Sequence, residues 1–410
     1  MSRGSTRPHV LIAIANLPFE RDRRVQREAS ALLGAGARVT VVCPRSRPGE
    51  VIDPALGEVR VIGYRQPFDG AGLLSYVCEF AWSFLAISAV SLRLARRDRF
   101  DALQVCNPPD VLWPLLLLLR RRGVVTVFDH HDLAPEVYGA REGSRRLVRA
   151  ALRWNERRSL RSASAVVATN ASIRRIAAAR AGVAESAVVV VRNGPPLADV
   201  VDGPHVCAPD QPHTIVYLGV MGTQDGVEAL VRAAALLATR RAARDWRLVL
   251  VGDGECAAQL VGLARQLGLS DRVTFTGWAD AAAVRAHLRD ACIAVQPDPP
   301  TEMAHLSTMV KTTEYLAAAL PVVAVDLTET RVTAGDAAVY VPTGAPAELA
   351  DAMDRLLDDA GARARCGAAG RARILDGLSW DAQAEGYVGV FASRLPERAW
   401  TLPARRARVA

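Results

Sequence analysis

His9-Val10-Leu11-Ile12-Ala13-Ile14 is an apolar run of the kind that forms a strand buried on both faces of a sheet. A helical pattern follows from about Arg23 to Leu33 and stops at Gly34-Ala35-Gly36, after which Val39-Thr40-Val41-Val42 reads as a second strand. A buried strand, a helix and another buried strand predict a right-handed βαβ unit. They therefore predict a mostly parallel sheet.

The same alternation of short apolar strands and helix-length segments continues along the chain. Asn193 to His213 interrupts it with five prolines, and proline-rich stretches of this kind join domains. The sequence therefore predicts an α/β protein of two Rossmann-like, doubly wound domains, residues 1–196 and 213–378, with a linker at 197–212 and a terminal segment at 379–410. The further strand patterns are 59–62, 102–105, 124–128, 165–168 and 188–191, then 214–218, 248–251, 273–275, 293–295, 322–325 and 338–341.

Doubly wound sheets bind ligands beyond the carboxyl ends of their strands, and two facing sheets create a cleft. Three strands of the second half end in glycine turns, at residues 219–222, 252–254 and 276–278. Glycine permits close approach of a phosphate to free backbone amides, so we expect an anion site at the first turn. Glycine after a strand is also ordinary turn chemistry, and each turn alone is a weak indication.

Lys311 is the only lysine in 410 residues and stands beside 50 arginines. It precedes Glu314 by three positions, so on a helix the two side chains share a face. An ammonium can neutralise a leaving diphosphate without a metal ion, and a carboxylate can accept hydrogen bonds from vicinal ribose hydroxyls. The alternative is a surface Lys–Glu pair worth a few tenths of a kcal/mol, about 0.3.

Charge is distributed unevenly along the chain. Residues 1–196 contain 30 basic and 17 acidic residues, whereas the remainder contains 21 and 26. A basic first half favours an anionic partner such as a nucleotide, a lipid-linked phosphate or a phospholipid surface, although a solvated arginine surface gives the same count. We expect no nucleic-acid partner, because no recognised nucleic-acid module accompanies the arginines.

The seven cysteines are scattered without metal-ligand spacing, which favours a reducing cytosol over a disulfide framework or a zinc site. The polar residues before His9 do not form a secretory signal, so we expect a cytoplasmic protein. The apolar stretches 80–92 and 115–119 read as core helices, the first being too short to span a bilayer. Their flanking arginines leave open a peripheral attachment to an anionic membrane on its cytoplasmic face.

Several motifs together resemble the retaining, nucleotide-sugar-dependent glycosyltransferases of family 4, which have the GT-B fold. The likeness covers almost the whole chain and implies two Rossmann-like domains facing across a cleft, the first binding the acceptor and the second the donor. It also implies that the helix opened by Ser379-Trp380 crosses back to the first domain. The motifs are Arg23-Arg24-Val25-Gln26-Arg27-Glu28-Ala29, Phe128-Asp129-His130-His131-Asp132, Val251-Gly252-Asp253-Gly254, Val273-Thr274-Phe275-Thr276-Gly277-Trp278 and residues 307–317.

The resemblance implies a donor site in the second domain in which Glu314 holds the ribose. Three positions depart from the family pattern: Leu306 replaces the first glutamate of its Glu-x7-Glu motif, and Val220 and Asp225 stand where many relatives have an arginine and a lysine. We expect Lys311, the amides and hydroxyls of residues 307–308 and the 219–222 turn to take over that charge. The donor-binding candidates are Gly219, Met221, Gly222, Gly252, Asp253, Trp278, Ser307, Thr308, Lys311 and Glu314.

The resemblance implies that His131, after the strand pattern 124–128, contacts the transferred sugar near the reacting carbon; His130 is the weaker candidate. His131 and Lys311 are therefore the catalytic candidates. Arg21, Arg23 and Arg24 replace a glycine-rich acceptor loop and would be available to an anionic acceptor, or they are surface charge at a helix start.

The function expected from these features is retaining transfer of a hexosyl or N-acetylhexosaminyl group from a nucleotide diphosphate to a glycan, lipid-linked or small-molecule acceptor. UDP is favoured and GDP is the alternative. We expect no cofactor and no metal ion, because the chain contains no Asp-x-Asp sugar-diphosphate motif. Two other functions remain open: a GT-B nucleotide-sugar 2-epimerase, and a catalytically weak binding paralogue suggested by Leu306, Val220 and Asp225.

Overall fold

The computed structural model describes residues 7–46, 56–68, 72–139, 144–203, 207, 212–241 and 245–401. Part of the predicted linker and residues 402–410 of the basic tail lie outside this range. The chain forms two compact units, Met1–Arg192 with Ala382–Ala410, and Asn193–Asp381. The end of the chain thus belongs to the first unit, which agrees with the predicted return of the last helix.

The first unit is built on a seven-stranded sheet in which every pairing is parallel. Its strand order is β3-β2-β1-β4-β5-β6-β7. Each strand coincides with a pattern predicted from the sequence, and β5 runs two residues further than expected, so Asp129 and His130 lie inside it. The strands are β1 His9–Ala13, β2 Arg38–Pro44, β3 Arg60–Tyr64, β4 Ala102–Cys106, β5 Val125–His130, β6 Ala165–Ala168 and β7 Val188–Val190.

Two helices of the first unit begin at side-chain caps. Asp22 accepts the Val25 amide at the start of α1, and Asn170 accepts the Ile173 amide at the start of α6. Gly182 ends α6 in the left-handed conformation, which glycine adopts without strain. The helices are α1 Arg23–Gly34, α2 Leu73–Arg97, α3 Trp113–Arg120, α4 Ala134–Gly139, α5 Arg146–Ser162, α6 Ala171–Ala181 and the terminal helix, which is numbered α15 because it comes last in the chain, Trp380–Ala392.

Helix α2 corrects one expectation. The sequence predicts a short core helix at residues 80–92. Helix α2 has 25 residues instead, and its Val77 and Leu85 side chains are 55% and 61% exposed. By length and composition its segment Ser75–Arg97 could cross a membrane, which for one helix is a weak indication. Residues 115–119 do contribute to the core, because Leu115, Leu116 and Leu119 of α3 are buried.

The second unit repeats the architecture with six strands in the order β10-β9-β8-β11-β12-β13, again all parallel. The prediction of two doubly wound domains is therefore confirmed. Its strands are β8 His213–Leu218, β9 Trp246–Val251, β10 Val273–Gly277, β11 Ile293–Gln296, β12 Val322–Val325 and β13 Ala338–Val341. Its helices are α7 Val227–Arg240, α8 Ala257–Gln266, α9 Ala281–Arg289, α10 Glu302–Leu306, α11 Val310–Ala317, α12 Thr328–Ala334, α13 Pro346–Asp358 and α14 Ala360–Arg373.

Both sheets reverse their strand order at one point, between β1 and β4 in the first unit and between β8 and β11 in the second. Open α/β sheets bind ligands beyond the carboxyl ends of the strands at such a point. A ligand site is therefore expected at the loops that follow these four strands.

Candidate functional site

In the second unit, Lys311 lies at the reversal point between β8 and β11. Its ammonium Nζ is 3.0 and 3.2 Å from the two carboxylate oxygens of Asp298, just beyond β11. Tyr217 of β8 contributes its hydroxyl at 3.4 Å and its ring face at 4.8 Å from Nζ. The side chain of Lys311 is 11% exposed, so the single lysine is held within the fold rather than extended into solvent.

Asp298 is itself fixed by a chain of buried hydrogen bonds. The Gln296 side-chain amide donates to Asp298 Oδ2 at 3.0 Å, and the Thr330 hydroxyl donates to Gln296 Oε1 at 3.0 Å. Buried polar groups arranged in this way are rigid, because each partner satisfies the next. The position of the Lys311 ammonium is therefore set by β11 and by α12.

The 219–222 turn differs from the expectation of a free anion site. The amide of Gly219 donates to Val251 O at 3.0 Å, that of Met221 to Asp253 O at 3.0 Å, and that of Gly222 to Asp225 Oδ2 at 3.0 Å. Three of the four turn amides are thus engaged within the protein. The sequence could not show this, because the acceptors come from the neighbouring β9 turn and from a side chain three residues ahead.

Glycines in this region are required by close backbone contacts. A Cβ at Gly252 would lie 2.0 Å from Gly219 O, and one at Gly254 would lie 2.6 Å from the Met221 amide nitrogen and carbonyl oxygen. Gly219 has a φ of +148° and would place a Cβ 3.3 Å from Lys311 Cε. The two glycine turns therefore pack on each other, and the Lys311 stem passes directly beside the first of them.

Asp225 occupies a position that relatives give to a basic residue, and it lies beside Lys311. One oxygen, Oδ1, is 4.0 Å from Lys311 Nζ, and the other accepts the Gly222 amide. Burial raises the pKa of Asp225, and the nearby ammonium lowers it in part. Lys311 is consequently flanked by two carboxylates.

The segment before α11 supplies fewer donors than the sequence indicated. The Ser307 amide donates to Ala304 O at 3.2 Å and its hydroxyl to Met303 O at 2.8 Å, so both close the end of α10. Thr308 is half-buried. Met309 precedes α11 without a side-chain cap, and the first amides of a helix have no intrahelical partner. Within that turn the Thr312 amide donates to Met309 O at 3.1 Å, and the half-buried Glu314 lies one turn beyond Lys311.

Two other donor candidates are at the surface. Trp278, directly after β10, is 77% exposed. Asp253, after β9, is exposed and accepts the amide of Gly254 at 2.8 Å through Oδ1. Both follow strands on one side of the reversal point, whereas Lys311 lies at it.

In the first unit, His131 directly follows β5 and is fixed on two sides. Its amide donates to Asn107 Oδ1 at 2.8 Å, and its ring Nδ1 is 3.2 Å from Asp129 Oδ2. Burial acts against the charged ring, but the Asp129 carboxylate outweighs it and raises the pKa of His131 to about 9. His131 is therefore an imidazolium at neutral pH, and its Nε2–H is the donor directed away from Asp129.

Arg24 is placed differently from the expectation of an arginine available to the acceptor. It is buried, and its guanidinium donates to both Asp129 oxygens, Nε to Oδ2 at 2.9 Å and Nη2 to Oδ1 at 2.7 Å. Its Nε is also 3.1 Å from Glu28 Oε1. Burial alone would raise the pKa of Asp129, yet Arg24 and His131 lower it well below the usual range. Arg21 and Arg23 are exposed, as a surface role requires.

Acidic residues and a cysteine form a buried cluster behind Arg24. Glu28, Cys106 and Asp129 bring one ligand atom each within 4.8 Å of one another, a spacing that could hold a metal ion. The guanidinium of Arg24 already lies against both carboxylates, however. Burial also raises the pKa of the Cys106 thiol and that of Glu28, so the thiol stays protonated. The cluster is therefore an arginine–carboxylate network.

This network continues to the terminal helix α15. Gln104 of β4 donates to Glu28 Oε2 at 2.6 Å and accepts the hydroxyl of Tyr387 at 2.6 Å. Gln383 of the same helix accepts the Arg192 amide at 2.9 Å. The sequence analysis missed Asn107, Gln104 and Tyr387, because their partners lie 24 to 283 positions away in the chain.

His130 is a structural residue, in agreement with its lower ranking from the sequence. It is fully buried in β5, and its Nε2 is 2.9 Å from Glu156 Oε1 of α5. Glu156 is paired in turn with Arg180 of α6. Successive residues of an extended chain point to opposite faces, so His130 is directed towards Glu156 and His131 towards Asp129.

Comparison with known proteins agrees with this architecture. The family described as "Glycosyl transferase 4-like domain" matches residues 22–194, and "Glycosyl transferases group 1" matches residues 212–359. Alpha-D-kanosaminyltransferase of Streptomyces kanamyceticus is 33% identical over 153 residues, which are 37% of this chain and only 38% of that relative. The 2-deoxystreptamine glucosyltransferase of the same organism is 26% identical over 293 residues, 68% of this chain and 73% of the relative.

Solved structures show the same fold. Sucrose-phosphate synthase from Thermosynechococcus elongatus superposes with a TM-score of 0.72 at 20% identity, covering 94% of this chain and all, 100%, of the other. Anabaena HepE in complex with UDP gives a TM-score of 0.66 at 15% identity, with 94% and 100% covered. One family match falls in each half of the chain and the structures agree across both, so the chain belongs to the family 4 glycosyltransferases with the GT-B fold.

Proposed function

We propose that this glycosyltransferase moves a sugar from a nucleoside-diphosphate donor to an acceptor hydroxyl with retention of the anomeric configuration. The observation that carries the donor assignment is the position of Lys311. Its ammonium lies at the strand-order reversal of the second unit, in the first turn of a helix that has no side-chain cap and no acidic residue in that turn. A helix N-terminus that carries an ammonium group favours the binding of an anion.

Within this proposal, the second unit binds the donor. The diphosphate lies at the start of α11 and Lys311, and Glu314 accepts hydrogen bonds from the ribose hydroxyls. Trp278 lies nearest the base, and the glycine turns at 219–222 and 252–254 allow close backbone approach. Lys311 stabilises the negative charge that develops on the departing diphosphate.

His131 acts on the transferred sugar, as its charge state suggests. An imidazolium held by Asp129 donates a hydrogen bond and is poorly suited to remove a proton. The departing phosphate is then the group that accepts the proton of the acceptor hydroxyl. The protein contributes orientation and charge stabilisation instead of a side-chain base.

We favour UDP as the nucleotide, with GDP as the alternative. Support comes from the Anabaena neighbours, which are described in complex with UDP and with UDP-glucose. For the acceptor, the names of the two Streptomyces relatives favour the small-molecule class, since one of them is a 2-deoxystreptamine glucosyltransferase. Glycan and lipid-linked acceptors remain in the proposal, as do hexosyl and N-acetylhexosaminyl donors. The reaction is proposed to need no metal ion, and it should keep full activity in excess chelator.

Peripheral attachment to an anionic membrane is a further part of the proposal. Helix α2 exposes Val77 and Leu85 on one stretch and ends with the exposed arginines 93, 96 and 97. An apolar surface next to cationic side chains fits an anionic bilayer. We expect the protein to sediment with phosphatidylglycerol vesicles and to stay in solution with phosphatidylcholine vesicles. Absence of the protein from both pellets would reject the membrane attachment.

The experiment for the main proposal is a thermal-unfolding panel of nucleoside diphosphates and nucleotide sugars. A ligand that binds only the folded state stabilises it by RT ln(1 + [L]/Kd), or about 2.7 kcal/mol at a hundredfold excess over Kd. We expect UDP and UDP-sugars to raise the unfolding temperature. No shift with any nucleotide would reject the donor assignment.

A catalytically weak binding paralogue is the second candidate, favoured by the two carboxylates around Lys311. Slow hydrolysis of the bound donor by the purified protein would argue against it. Nucleotide binding without any turnover, with every acceptor tried, would support it over a transferase. A strict requirement for an added acceptor would separate the transferase from a nucleotide-sugar epimerase.

A further inference from the structure

The charges around Lys311 do not balance in the way that a diphosphate site needs. One ammonium faces the carboxylates of Asp298 and Asp225, at 3.0 and 4.0 Å from Nζ. The three ionised groups sum to one negative charge. A diphosphate arriving at α11 therefore meets a lysine whose charge is already compensated.

The carboxylates of Asp298 and Asp225 differ in their exposure and in their hydrogen bonds. Asp298 is buried, with a side chain 5% exposed, and Gln296 holds it in place, so it positions the ammonium. Asp225 is more open, with a side chain 15% exposed, and it lies in the loop directly before α7. Asp225 also accepts the Gly222 amide, so that amide is engaged within the turn. The other Asp225 oxygen places a negative charge 4.0 Å from the Lys311 ammonium.

Charge differs between the donor and the product of the reaction. A nucleotide sugar carries a diphosphate diester with one negative charge on each phosphate. The nucleoside diphosphate that remains has a terminal phosphate monoester, which with a second pKa near about 6 is almost fully doubly ionised at neutral pH. An additional carboxylate at the site therefore repels the product more strongly than the donor.

We propose that Asp225 is a specificity-determining residue that lowers the affinity for the nucleoside-diphosphate product relative to the intact nucleotide sugar. Its carboxylate competes with the terminal phosphate for Lys311, and it promotes product release. This inference rests on the proposed donor site. It assigns to Asp225 a function opposite to that of the basic residue that many relatives place there.

The test is calorimetric measurement of the Kd of UDP and of UDP-glucose for the wild type and for Asp225→Asn, with GDP and GDP-mannose used if the wild type binds only guanine nucleotides. Asparagine keeps an oxygen for the Gly222 amide, so the turn should persist. Removing the Asp225 charge beside Lys311 should tighten UDP about tenfold and UDP-glucose about threefold. Product inhibition by UDP should become stronger in the same variant.

Glu228→Gln is the matched control. Glu228 lies in the first turn of α7, three positions from Asp225, and its exposed carboxylate pairs with Arg232. The Glu228→Gln substitution changes the net charge by the same amount as Asp225→Asn. It should leave the Kd values of UDP and UDP-glucose within about twofold of the wild-type values, since exposed ion pairs are screened. Thermal unfolding of both variants checks the fold, and Asp225→Ser provides a second uncharged side chain.

The results separate the inference from the proposed function. If neither the wild type nor any variant binds a nucleotide, the donor assignment itself fails. If the wild type binds UDP and both Asp225 variants leave the ratio of the UDP and UDP-glucose Kd values unchanged, the donor site stands and the inference is overturned. A double-mutant cycle with Lys311→Gln completes the test. A smaller gain from Asp225→Asn in that background supports competition for Lys311, and an equal gain contradicts it.

Discussion

The guanidinium of Arg24 and the carboxylate of Asp129 form a buried two-point ion pair behind His131, with N–O distances of 2.9 and 2.7 Å. Both Asp129 oxygens are occupied, and Oδ2 is shared with the His131 ring. A planar guanidinium can bind both oxygens of a carboxylate at once, which fixes the orientation of Asp129. The direction of the His131 ring therefore depends on a residue of α1.

We predict that Arg24→Met destabilises the protein strongly, because it removes the buried guanidinium that pairs with both oxygens of Asp129 and lies against Glu28. Breaking one side of a buried ion pair costs about 3–5 kcal/mol. Urea unfolding should show this loss. Arg23→Met, at the exposed neighbouring position, should change the free energy of unfolding by less than about 0.5 kcal/mol. Equal losses would show that Arg24 is not part of a buried network.

We predict that His131→Ala lowers kcat about a hundredfold while the Kd of UDP changes less than about threefold, since His131 belongs to the first unit and stabilises charge in the transition state. Steady-state kinetics with calorimetry separate the two effects. A variant with unchanged turnover would remove His131 from the mechanism, and a variant that loses UDP binding would move it into the donor site.

The pH dependence follows from the pKa of His131, about 9 compared with an ordinary value near 6.5. Because the folded-state pKa is raised, the protonated ring stabilises the fold. That contribution is complete below about pH 6.5 and is lost as the pH rises through about 9. We expect the wild type to lose stability over this range relative to His131→Gln, as measured by urea unfolding at each pH. Parallel curves for the two proteins would contradict the Asp129–His131 pairing.

We predict that Gly252→Ala is destabilising by about 2 kcal/mol or more. The new Cβ would lie 2.0 Å from Gly219 O, and the residue has a φ of +132°, which L side chains rarely adopt. Gly262→Ala in α8 is the control. It meets no atom within 4 Å and should stabilise the protein by about 0.5–1 kcal/mol. Thermal unfolding of the pair should move in opposite directions.

We predict that Tyr387→Phe costs about 1–2 kcal/mol, because the buried Gln104 Oε1 loses its donor. Tyr76→Phe, on the exposed part of α2, should be neutral within about 0.5 kcal/mol. Because Tyr387 lies on the returning helix, its loss also tests whether α15 is a structural part of the first unit. A neutral Tyr387→Phe would indicate that α15 packs more loosely than the hydrogen bond implies.

Much of the fold could be predicted from the sequence, because each buried strand is a short apolar run separated from the next by a helix-length segment. The ends were harder to predict. Strand β5 extends through Asp129 and His130, polar residues that are typical of loops, because Arg24 pairs with Asp129 and Glu156 lies within hydrogen-bond distance of His130. The sequence predicts a short α2 because charged residues flank its apolar centre. A helix with one exposed face tolerates such residues, so α2 continues past them.

The sequence indicates which residue types belong to the candidate site, but it does not indicate their contacts. Lys311 was singled out by its rarity, and its position at the strand-order reversal agrees with a role there. Its two carboxylate partners, Asp298 and Asp225, lie 13 and 86 positions away, and no local pattern pairs them with it. The same holds for the 219–222 turn, where the Gly219 and Met221 amides donate to Val251 O and Asp253 O at the end of β9. Pairing between distant segments is decided by packing, which a single sequence does not display.

Binding of UDP to the wild type and to Lys311→Met, measured by calorimetry, tests the central claim most directly. The claim is that one ammonium at the start of α11 neutralises the donor diphosphate. We predict that the wild type binds UDP and that the variant, compared at a temperature at which both proteins are folded, binds at least about tenfold more weakly. Equal affinity of the two proteins for UDP would contradict the claim.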